Sequence, residues 1–479
     1  MTGVDVRPFW LVLDIRSATS DHQSGLGRFV VGLSQALADC LSGRRSNHDA
    51  VTQDVRLLLV AKSEPPKWAV QLVHEYPTLV SFWSGGPGAL TDSWEKPQYL
   101  WPSRVLRGIS RWSEGRFFWI APCNFDRPIL RKFLLPRNLR NSIVQVIHDT
   151  IPIEQRRSMS FLFWLQYSIL VRRTLVRIEN VFTVSPHSAG KLERLAPRRS
   201  KPIHVLPSGI ETIFGALPRF RGPTETGAGR TAFVERMCAQ SVSLKTGSIP
   251  EVSQLELEKL IRRRWIVGVG RTQKYKGWDV AEEALRQISS DVSEGVVFVR
   301  VGGLSDSSAN KTATGQKGSQ TSVSFENNDG LSVLRVESLS DELLAQLYRC
   351  ADVMVHPSRA EGFGFPPVEA ALSGLPVIYR AGTAVDDHFS GHSFHPQYWQ
   401  SVDSDDAADW RNKILEVLRN KTGLDAFFDE MHSAVHPRAF ICQRGGGQDF
   451  RWGRAAESML NVLFAQKQSE PTVVGDLQQ

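Results

Sequence analysis

The chain has 479 residues, of which 41% are hydrophobic and 22% charged, a balance that is typical of a globular protein. This length exceeds what one hydrophobic core usually serves, so we expect two domains. The five cysteines are far apart and lack C-x-x-C spacing, which argues against a disulfide framework and a cysteine-bound metal. Because no signal sequence and no apolar run of about 18 residues is found, we expect a cytoplasmic protein without a membrane span.

The first half of the sequence alternates apolar runs and helical patterns, which predicts an α/β fold. A strand at Phe9–Ile15 precedes a helix that begins near Gly25 and has apolar residues at helical spacing. Further short β-rich runs follow at 55–60, 144–147, 181–184 and 203–206.

Gly25, Gly27 and Arg28 lie at the turn from the first strand to the first helix. Free amides at a helix start can bind a phosphate, so these residues are substrate-binding candidates. A plain strand-to-helix turn explains the pattern as well, because the third glycine of a dinucleotide fingerprint is absent. A dinucleotide-dependent enzyme also needs an acidic residue about 20 positions on, and neither Asp49 nor Asp54 ends a convincing strand.

A basic region spans residues 101–200, with 18 Arg and Lys against 6 Asp and Glu. Within it, paired arginines at 156–157 and 172–173 bracket the apolar segment Met159–Val171. This segment could lie on an anionic membrane or receive a lipid-linked acceptor. An ordinary core helix with solvated ends is the alternative. Nucleic acid is not an expected partner, because no recognised motif accompanies the charge.

Polar residues follow two of the predicted strands. His148 and Asp149 close the run at 144–147, where a buried histidine bonded to the backbone is the alternative to a functional one.

A second α/β pattern begins at Arg264, and Arg271 and Lys276 follow its first strand. Fixed cations at such a position can stabilise the charge that develops on a departing diphosphate, although two basic loop residues are more often only solvated.

Glu361 and Glu369 stand eight positions apart, separated by a Gly, Phe and Pro segment. Proline is tolerated in a first helical turn, so we expect a helix to begin at Pro366, with Glu369 on it and Glu361 in the preceding loop. The helix start and its glycines favour an anion. We expect the carboxylates roughly 10 to 15 Å apart, too far for one acid/base pair and suited to the two ends of a nucleotide-sugar.

The segment 356–378 resembles the E-x7-E signature of the retaining glycosyltransferases of family 4. The resemblance covers 14–37, 148–152, 181–209, 265–284 and 343–378, in the order found in the family. The resemblance implies a GT-B architecture, an α/β fold of two facing Rossmann-like domains with a C-terminal helix that crosses back to the first domain. It also implies front-face transfer without a protein nucleophile, in which a donor phosphate oxygen accepts the proton of the acceptor.

By this resemblance the catalytic candidates are Glu361, which orients the donor hexose, and His148, which lies close to that hexose. Glu369 binds the ribose, and Arg271 and Lys276 bind the diphosphate. The other substrate-binding candidates are Gly25, Gly27, Arg28, Gly362, Phe363 and Gly364. No cofactor or metal is expected, since the nucleotide-sugar is a substrate. The Asp403–Asp406 segment mimics a metal motif, but it directly precedes a helical pattern and fits a helix N-cap.

The predicted division of the chain is an acceptor-side domain at 1–210, a long linker or insertion at 211–262, a nucleotide-sugar domain at 263–447 with a disordered loop at 305–328, a crossover helix at 448–466 and a tail at 467–479.

The variants Gly-Leu-Gly-Arg-Phe and His-Asp-Thr-Ile-Pro are similar to enzymes of bacterial surface-polysaccharide assembly, many of them mannosyltransferases. We therefore expect a GDP-mannose donor and a saccharide or lipid-linked saccharide acceptor, with a UDP- or ADP-sugar as the alternative donor. A cytoplasmic enzyme could also contact the inner face of the membrane through the basic 101–200 region. A non-catalytic binding protein of a polysaccharide assembly complex is the other class, although the retained Glu361 and Glu369 argue against it.

Overall fold

The computed structural model divides the chain into two compact units, each built on one sheet. Unit 1 comprises Met1–Ile153, Phe161–Gly209 and Phe450–Gln479, and unit 2 comprises Glu154–Ser160 and Ile210–Asp449. The residues that the structure describes are 8–18, 25–46, 54–61, 64–84, 102–122, 137–215, 219–220, 222–242, 254–289, 292, 295–302, 323–328, 331–389, 398–420 and 451–468.

The described sheet of unit 1 has seven parallel strands. They are β1 (Phe9–Asp14), β2 (Val55–Ala61), β3 (Val80–Ser84), β4 (Phe117–Ala121), β5 (Ile143–Ile147), β6 (Asn180–Thr183) and β7 (Ile203–Val205). Their order across the sheet is β3-β2-β1-β4-β5-β6-β7. Every residue of β1 is buried, as expected for a parallel strand covered by helices on both faces.

The described sheet of unit 2 also has seven strands, in the order β10-β11-β9-β8-β12-β13-β14. They are β8 (Arg264–Val269), β9 (Val296–Val301), β10 (Val323–Asn328), β11 (Leu331–Val336), β12 (Val353–His356), β13 (Val377–Arg380) and β14 (Trp399–Val402). Only β10 and β11 pair antiparallel among these strands. Two mainly parallel sheets with helical connections are the predicted α/β fold class.

The described helices, in chain order, are α1 (Gly25–Ser46), α2 (Lys67–Glu75), α3 (Pro102–Trp112), α4 (Arg137–Asn141), α5 (Ile151–Glu154), α6 (Phe161–Arg177), α7 (Pro186–Leu195), α8 (Gly222–Val242), α9 (Gln254–Arg262), α10 (Trp278–Ser289), α11 (Asp341–Cys350), α12 (Phe365–Leu372), α13 (Asp386–Phe389), α14 (Ala407–Arg419) and α15 (Trp452–Gln468). Among these described helices, none combines the length and the apolar character needed to cross a membrane.

The segment at 211–262, predicted as a long linker or insertion, is largely helical, because α8 and α9 occupy most of it and belong to unit 2. Phe233 on α8 is fully buried, and the Arg230 guanidinium donates a 2.5 Å hydrogen bond to the buried Asp352 carboxylate. The glycines and threonines at the start of α8 imitate a linker, although its later apolar residues recur at helical spacing. Residues 216–218, 221 and 243–253 lie outside the described residues.

The disordered loop predicted at 305–328 is wrong at its end, because β10 begins at Val323. Val323 and Phe325 alternate with polar residues, and this period of two is typical of a strand that is half buried. The strand pairs antiparallel with β11, with Val323 opposite Val336. The rest of the predicted loop, up to residue 322, lies outside the described residues, as does the predicted tail beyond Gln468.

The C-terminal helix α15 packs against α1 in unit 1, although the chain reaches it only after unit 2. The Trp452 ring lies where a Cβ on Gly32 or on Gly209 would overlap it. It also makes an edge contact with Phe29, with 5.7 Å between ring centroids. Two glycines therefore create the space that this indole fills.

Candidate functional site

The start of α12 positions both glutamates of the E-x7-E segment. Gly364 precedes the helix with a left-handed backbone, φ 87°, and a Cβ there would come 2.7 Å from Val385 Cγ2. The helix carries the buried Glu369, whereas Glu361 lies in the loop between β12 and α12. The predicted helix start and the loop and helix placement of the two glutamates are therefore confirmed.

Glu361 gathers two nitrogen donors on one carboxylate oxygen. Lys276 Nζ donates to Glu361 Oε1 at 2.5 Å, and His356 Nε2 donates to the same oxygen at 2.7 Å. The Glu361 side chain is 10% exposed, so these charge-assisted bonds lie largely out of water. Glu361 Oε2 accepts no hydrogen bond from the described part of the chain. One oxygen fixes the carboxylate, and the other remains as an acceptor.

The charge states in this cluster follow from burial and pairing. Burial by itself raises the pKa of Glu361, but the Lys276 charge and the His356 hydrogen bond outweigh it and hold that pKa well below its usual range. Burial lowers the pKa of His356 more than the Glu361 charge raises it. At neutral pH Glu361 is therefore a carboxylate and His356 a neutral imidazole.

Backbone contacts hold the loop of Lys276 against the loop of Glu361. A turn of 3₁₀ helix at Lys274–Lys276 ends at Gly277, which has a left-handed backbone with φ 68°. A Cβ on Gly277 would overlap the Pro357 carbonyl oxygen, so the two loops approach as closely as glycine allows. The Arg359 amide donates to the Tyr275 carbonyl at 2.8 Å. This close approach brings the ends of β8 and β12 together.

Arg300 and Trp278 support the same loop, and sequence reasoning did not identify either. Arg300 Nη1 donates to the Gly270 carbonyl at 2.8 Å, and Trp278 Nε1 donates to the Arg271 carbonyl at 3.0 Å. Burial, with a further contribution from the Arg335 charge, lowers the pKa of Arg300 to about 9. The sequence did contain an indication of Arg300: it is a basic residue inside the apolar run Val296–Val301, and a buried strand does not need a charge for packing.

The other predicted ligands of unit 2 differ in exposure. Arg271 follows β8 directly and its side chain is exposed. Gly362 and Gly364 are buried beside Glu361 in the chain. Phe363 is 3% exposed and packs against Phe365 with 4.9 Å between ring centroids, while its carbonyl accepts from His388 Nε2 at 2.8 Å. The Phe363 side chain is therefore a packing element of the loop.

His148 belongs to unit 1, at the carboxyl end of β5. Its Nε2 donates to the Pro122 carbonyl at 2.8 Å, and its ring meets Phe29 edge-on at 4.6 Å. Burial lowers the pKa of His148 to about 4, although the bond to Pro122 opposes the shift, so the imidazole is neutral at neutral pH. The structure therefore shows both features considered for His148 from the sequence: a hydrogen bond to the backbone and a position at the end of a strand.

Gly25, Gly27 and Arg28 form the first turn of α1 in unit 1, as expected for a turn from strand to helix. Beside them in the sequence, at the end of β1, Arg16 Nε donates to Asp14 Oδ1 at 2.7 Å. Residues 19–24, between that pair and the helix, lie outside the described residues.

Asp406, in the segment 403–406, serves as a helix cap. Asp406 Oδ1 accepts from the Ala408 amide at 3.0 Å at the start of α14, which confirms the predicted N-cap. In the described ranges, no group of three or more His, Cys, Asp or Glu side chains is arranged to hold a metal ion.

Comparison with known proteins agrees with this geometry. Residues 257–430, which include the Lys276 and Glu361 loops, match the family model described as glycosyl transferases group 1. The D-inositol 3-phosphate glycosyltransferase of Xylanimonas cellulosilytica is 25% identical over 366 residues, which cover 75% of this chain and 72% of that relative. The serotype-specific mannosyltransferase WbdA of Escherichia coli is 47% identical over 45 residues, 9% of this chain and 6% of WbdA.

Solved structures share the fold. HepE from Anabaena, in complex with UDP and glucose, has a TM-score of 0.56 at 14% identity and covers 95% of this chain and 100% of its own. Sucrose-phosphate synthase from Thermosynechococcus elongatus has a TM-score of 0.57 at 15% identity, with 97% and 100% covered. The predicted GT-B class of two Rossmann-like parallel-sheet domains is confirmed. These structures show the fold, while the family match and the relatives support glycosyltransferase activity with a nucleotide-sugar donor.

Proposed function

We propose that the chain is a retaining hexosyltransferase of the family 4 type, with GDP-mannose as donor and a saccharide or lipid-linked saccharide as acceptor. The observation that supports this most directly is the pair of donors, Lys276 and His356, on one oxygen of Glu361. Lys276 follows the carboxyl end of β8 and His356 is the last residue of β12, so both lie at the edge of a parallel sheet at which ligands bind.

Glu361 orients the hexose in this proposal. Its low pKa keeps it a carboxylate, and Oε2 can accept hydrogen bonds from sugar hydroxyls while Oε1 is held by Lys276 and His356. In unit 1, His148 Nε2 donates to the Pro122 carbonyl, which leaves Nδ1 of the neutral ring as an acceptor for a substrate hydroxyl. Gly25, Gly27 and Arg28, in the first turn of α1, are further substrate-binding residues in this proposal.

Lys276 and Arg271 stabilise the diphosphate. An ammonium group has three donors and Lys276 uses one on Glu361, so the others can reach a phosphate oxygen. The bond between the sugar C1 and the phosphate oxygen breaks with its electron pair on the diphosphate. The acceptor oxygen bonds to C1 on the same face, and its proton passes to a donor phosphate oxygen. Negative charge grows on the leaving group, where fixed cations act most strongly.

Glu369 binds the ribose from the first turns of α12, whose amino end also favours the phosphates. Transfer in this scheme needs no metal, because side-chain cations neutralise the diphosphate. Activity that is unchanged by EDTA is the expected result, and restoration of activity by Mg²⁺ or Mn²⁺ after chelation would contradict it.

The choice of mannose draws on the sequence variants at 25–29 and 148–152 and on the short match to WbdA. The protein should be incubated with GDP-mannose, UDP-glucose or ADP-glucose and a lipid-linked acceptor, with products identified by intact mass and by the anomeric coupling constant. We expect one added hexose from GDP-mannose with the donor configuration kept. Transfer from UDP-glucose alone would exclude mannose, and product of inverted configuration would exclude the retaining assignment. We expect Glu361→Ala to lose transfer. Unchanged transfer in this variant would contradict the catalytic assignment and favour a binding protein.

A further inference from the structure

Helix α6 of unit 1 exposes large apolar side chains in a line. Leu162, Ile169 and Val176 are 63%, 39% and 74% exposed, and Phe161 beside them is 62% exposed. Positions seven apart share one face of a helix, so the three residues form a stripe of about 21 Å along α6. Single exposed apolar residues are ordinary, whereas three that recur on one helix face beside a fourth indicate an interaction surface.

The stripe is distinct from the face by which α6 joins the core. Tyr167, Leu170, Val171 and Leu175 are buried on that other face and anchor the helix to unit 1. The expectation of an ordinary core helix therefore accounts for one face of α6 only.

The exposed face is also strongly basic. Arg172, Arg173 and Arg177 are exposed among and beside the stripe, and the sequence of α6 contains no acidic residue. An apolar surface whose charged neighbours on the helix itself are all cations fits a partner with an anionic surface over an apolar interior. That combination is found where the headgroups of an anionic bilayer meet its acyl chains.

A basic cavity opens at the end of this stripe. Its volume is about 830 Å³, and Val176 and Arg172 belong both to its wall and to the exposed face of α6. Six of its lining residues are basic and one, Glu179, is acidic: the basic ones are Arg140, Arg172, Arg177, Arg198, Arg199 and Lys201. The cations therefore outnumber the acids in a concave site that suits a phosphate group.

The cavity has a fixed wall. Arg199 Nη1 donates to the Ile178 carbonyl at 2.8 Å and Nη2 donates to the Glu179 carbonyl at 2.6 Å, so this guanidinium caps the chain that leaves α6. Burial lowers the pKa of Arg199. Arg140 Nε is buried and has no hydrogen-bond partner in the described part of the chain. Arg199 thus holds the wall in place, and Arg140 retains a donor for a ligand.

We propose that α6 lies along an anionic phospholipid surface. Leu162, Ile169 and Val176 enter the boundary between headgroups and acyl chains, and the basic cavity receives a headgroup phosphate. This contact depends only on unit 1, so it can hold whether or not the sugar assignment is correct.

The test is flotation of the full-length protein with vesicles of phosphatidylcholine alone or of phosphatidylcholine with phosphatidylglycerol. We expect binding only to the anionic vesicles, and a decrease in binding as salt shortens the screening length from about 10 Å at 0.1 M to about 3 Å at 1 M. Because one basic residue near such a surface contributes about fivefold in affinity, Arg172→Gln with Arg173→Gln should reduce binding at least tenfold. The triple variant Leu162→Ser, Ile169→Ser and Val176→Ser should reduce it similarly at every salt concentration.

Matched controls are Val70→Ser, an exposed apolar residue on α2, and Lys259→Gln with Arg262→Gln, exposed cations on α9. Each should bind as the parent does, with an unchanged thermal transition in every variant. Equal binding to neutral and anionic vesicles, or full binding by either α6 variant, would overturn the proposal. Saturable calorimetric binding of inorganic pyrophosphate with no vesicle binding would overturn it in favour of a soluble phosphate ligand.

Discussion

The Arg300 guanidinium lies over the Trp278 indole, with Cζ 3.5 Å from the ring centroid. Each of these residues donates to one of two consecutive carbonyls, Gly270 and Arg271, at the point where the chain leaves β8. Cation and ring thus act together on the loop that carries Arg271 and Lys276. The geometry of this loop depends on side chains that need not touch a substrate themselves.

Trp278→Phe should weaken nucleotide binding. The substitution keeps most of the ring and removes the donor to the Arg271 carbonyl, a bond of about 1 kcal/mol, so we expect the donor KM to rise about five- to tenfold. Trp410→Phe on α14 is the matched control, because Trp410 Nε1 donates to the Ser404 carbonyl at 2.9 Å elsewhere in unit 2. Steady-state kinetics and nucleotide-induced thermal shifts distinguish the two. Equal changes in both variants would mean that the effect is only one of stability.

Glu361→Gln should impair both stability and transfer. The amide keeps the shape of the carboxylate, but Lys276 loses a charged partner in a site largely shielded from water. We expect unfolding to become easier by about 1 to 3 kcal/mol, and kcat to fall about a hundredfold through misplacement of the donor sugar. Denaturant melts and product formation measure the two effects. Glu416→Gln, which removes an exposed partner of Lys413, should change neither.

The stabilisation from Glu361 should disappear only in strong acid. Its folded pKa lies below the usual range, so the folded state binds fewer protons than the unfolded state in acid. The contribution is complete above the unfolded pKa of about 4.3, and it is lost as pH falls through the lower folded value. The difference in unfolding free energy between parent and Glu361→Gln should therefore be constant from pH 7 to pH 5 and shrink below pH 4. A difference that already shrinks between pH 7 and pH 5 would contradict this assignment.

His148 should make unit 1 sensitive to milder acid. Its pKa falls from 6.5 to about 4 on folding, so the unfolded state takes up a proton first as pH drops below 6.5. Stability should decline from pH 6.5 to pH 4, by on the order of 2 to 3 kcal/mol in total. His148→Gln should flatten that slope, whereas His74→Gln, at an exposed position on α2, should keep it. Denaturant melts at half-unit pH steps would reveal the difference, and parallel slopes for His148→Gln and the parent would count against a buried neutral histidine.

Gly32→Ala should destabilise the protein by about 1 to 3 kcal/mol, because its methyl group would overlap the Trp452 ring that α15 lays on α1. Gly43→Ala lies on the same helix with nothing near its Cβ position, and it should stabilise the protein by up to about 1 kcal/mol. Urea denaturation of both variants measures the difference. Two stabilised variants would show that Trp452 can move aside.

The parts of the fold predicted from sequence are those in which a local pattern is strong. β1 and β8 are nearly continuous apolar runs, and the helix at Pro366 follows from proline geometry alone. β3, β10 and β14 are short and mix polar with apolar residues, so they were missed; their assignment depends on neighbouring strands that are distant in sequence. β4 is apolar at five consecutive positions and could have been predicted.

The candidate site could likewise be predicted only where a local pattern identifies a residue. Lys276 was predicted as a cation that follows a strand, and Glu361 as the carboxylate in the loop before a helix. Their pairing across 85 positions depends on the Gly277 turn against Pro357. His356 was not predicted as a partner of Glu361, although it is only five positions away. Its role depends on the loop folding back on the strand end, which residue spacing alone does not determine. Arg300 was missed because its contact with Gly270 spans 30 positions.

The place of α15 has a consequence for how the protein is made. A growing chain presents the whole of the β1 to β7 sheet, and then all of unit 2, before Trp452 leaves the ribosome. Until then the groove lined by Gly32, Gly209 and Phe29 faces solvent. Unit 1 thus begins to be synthesised first but is completed last. Chains released early expose apolar residues that α15 would cover, and chaperones and proteases recognise such surfaces.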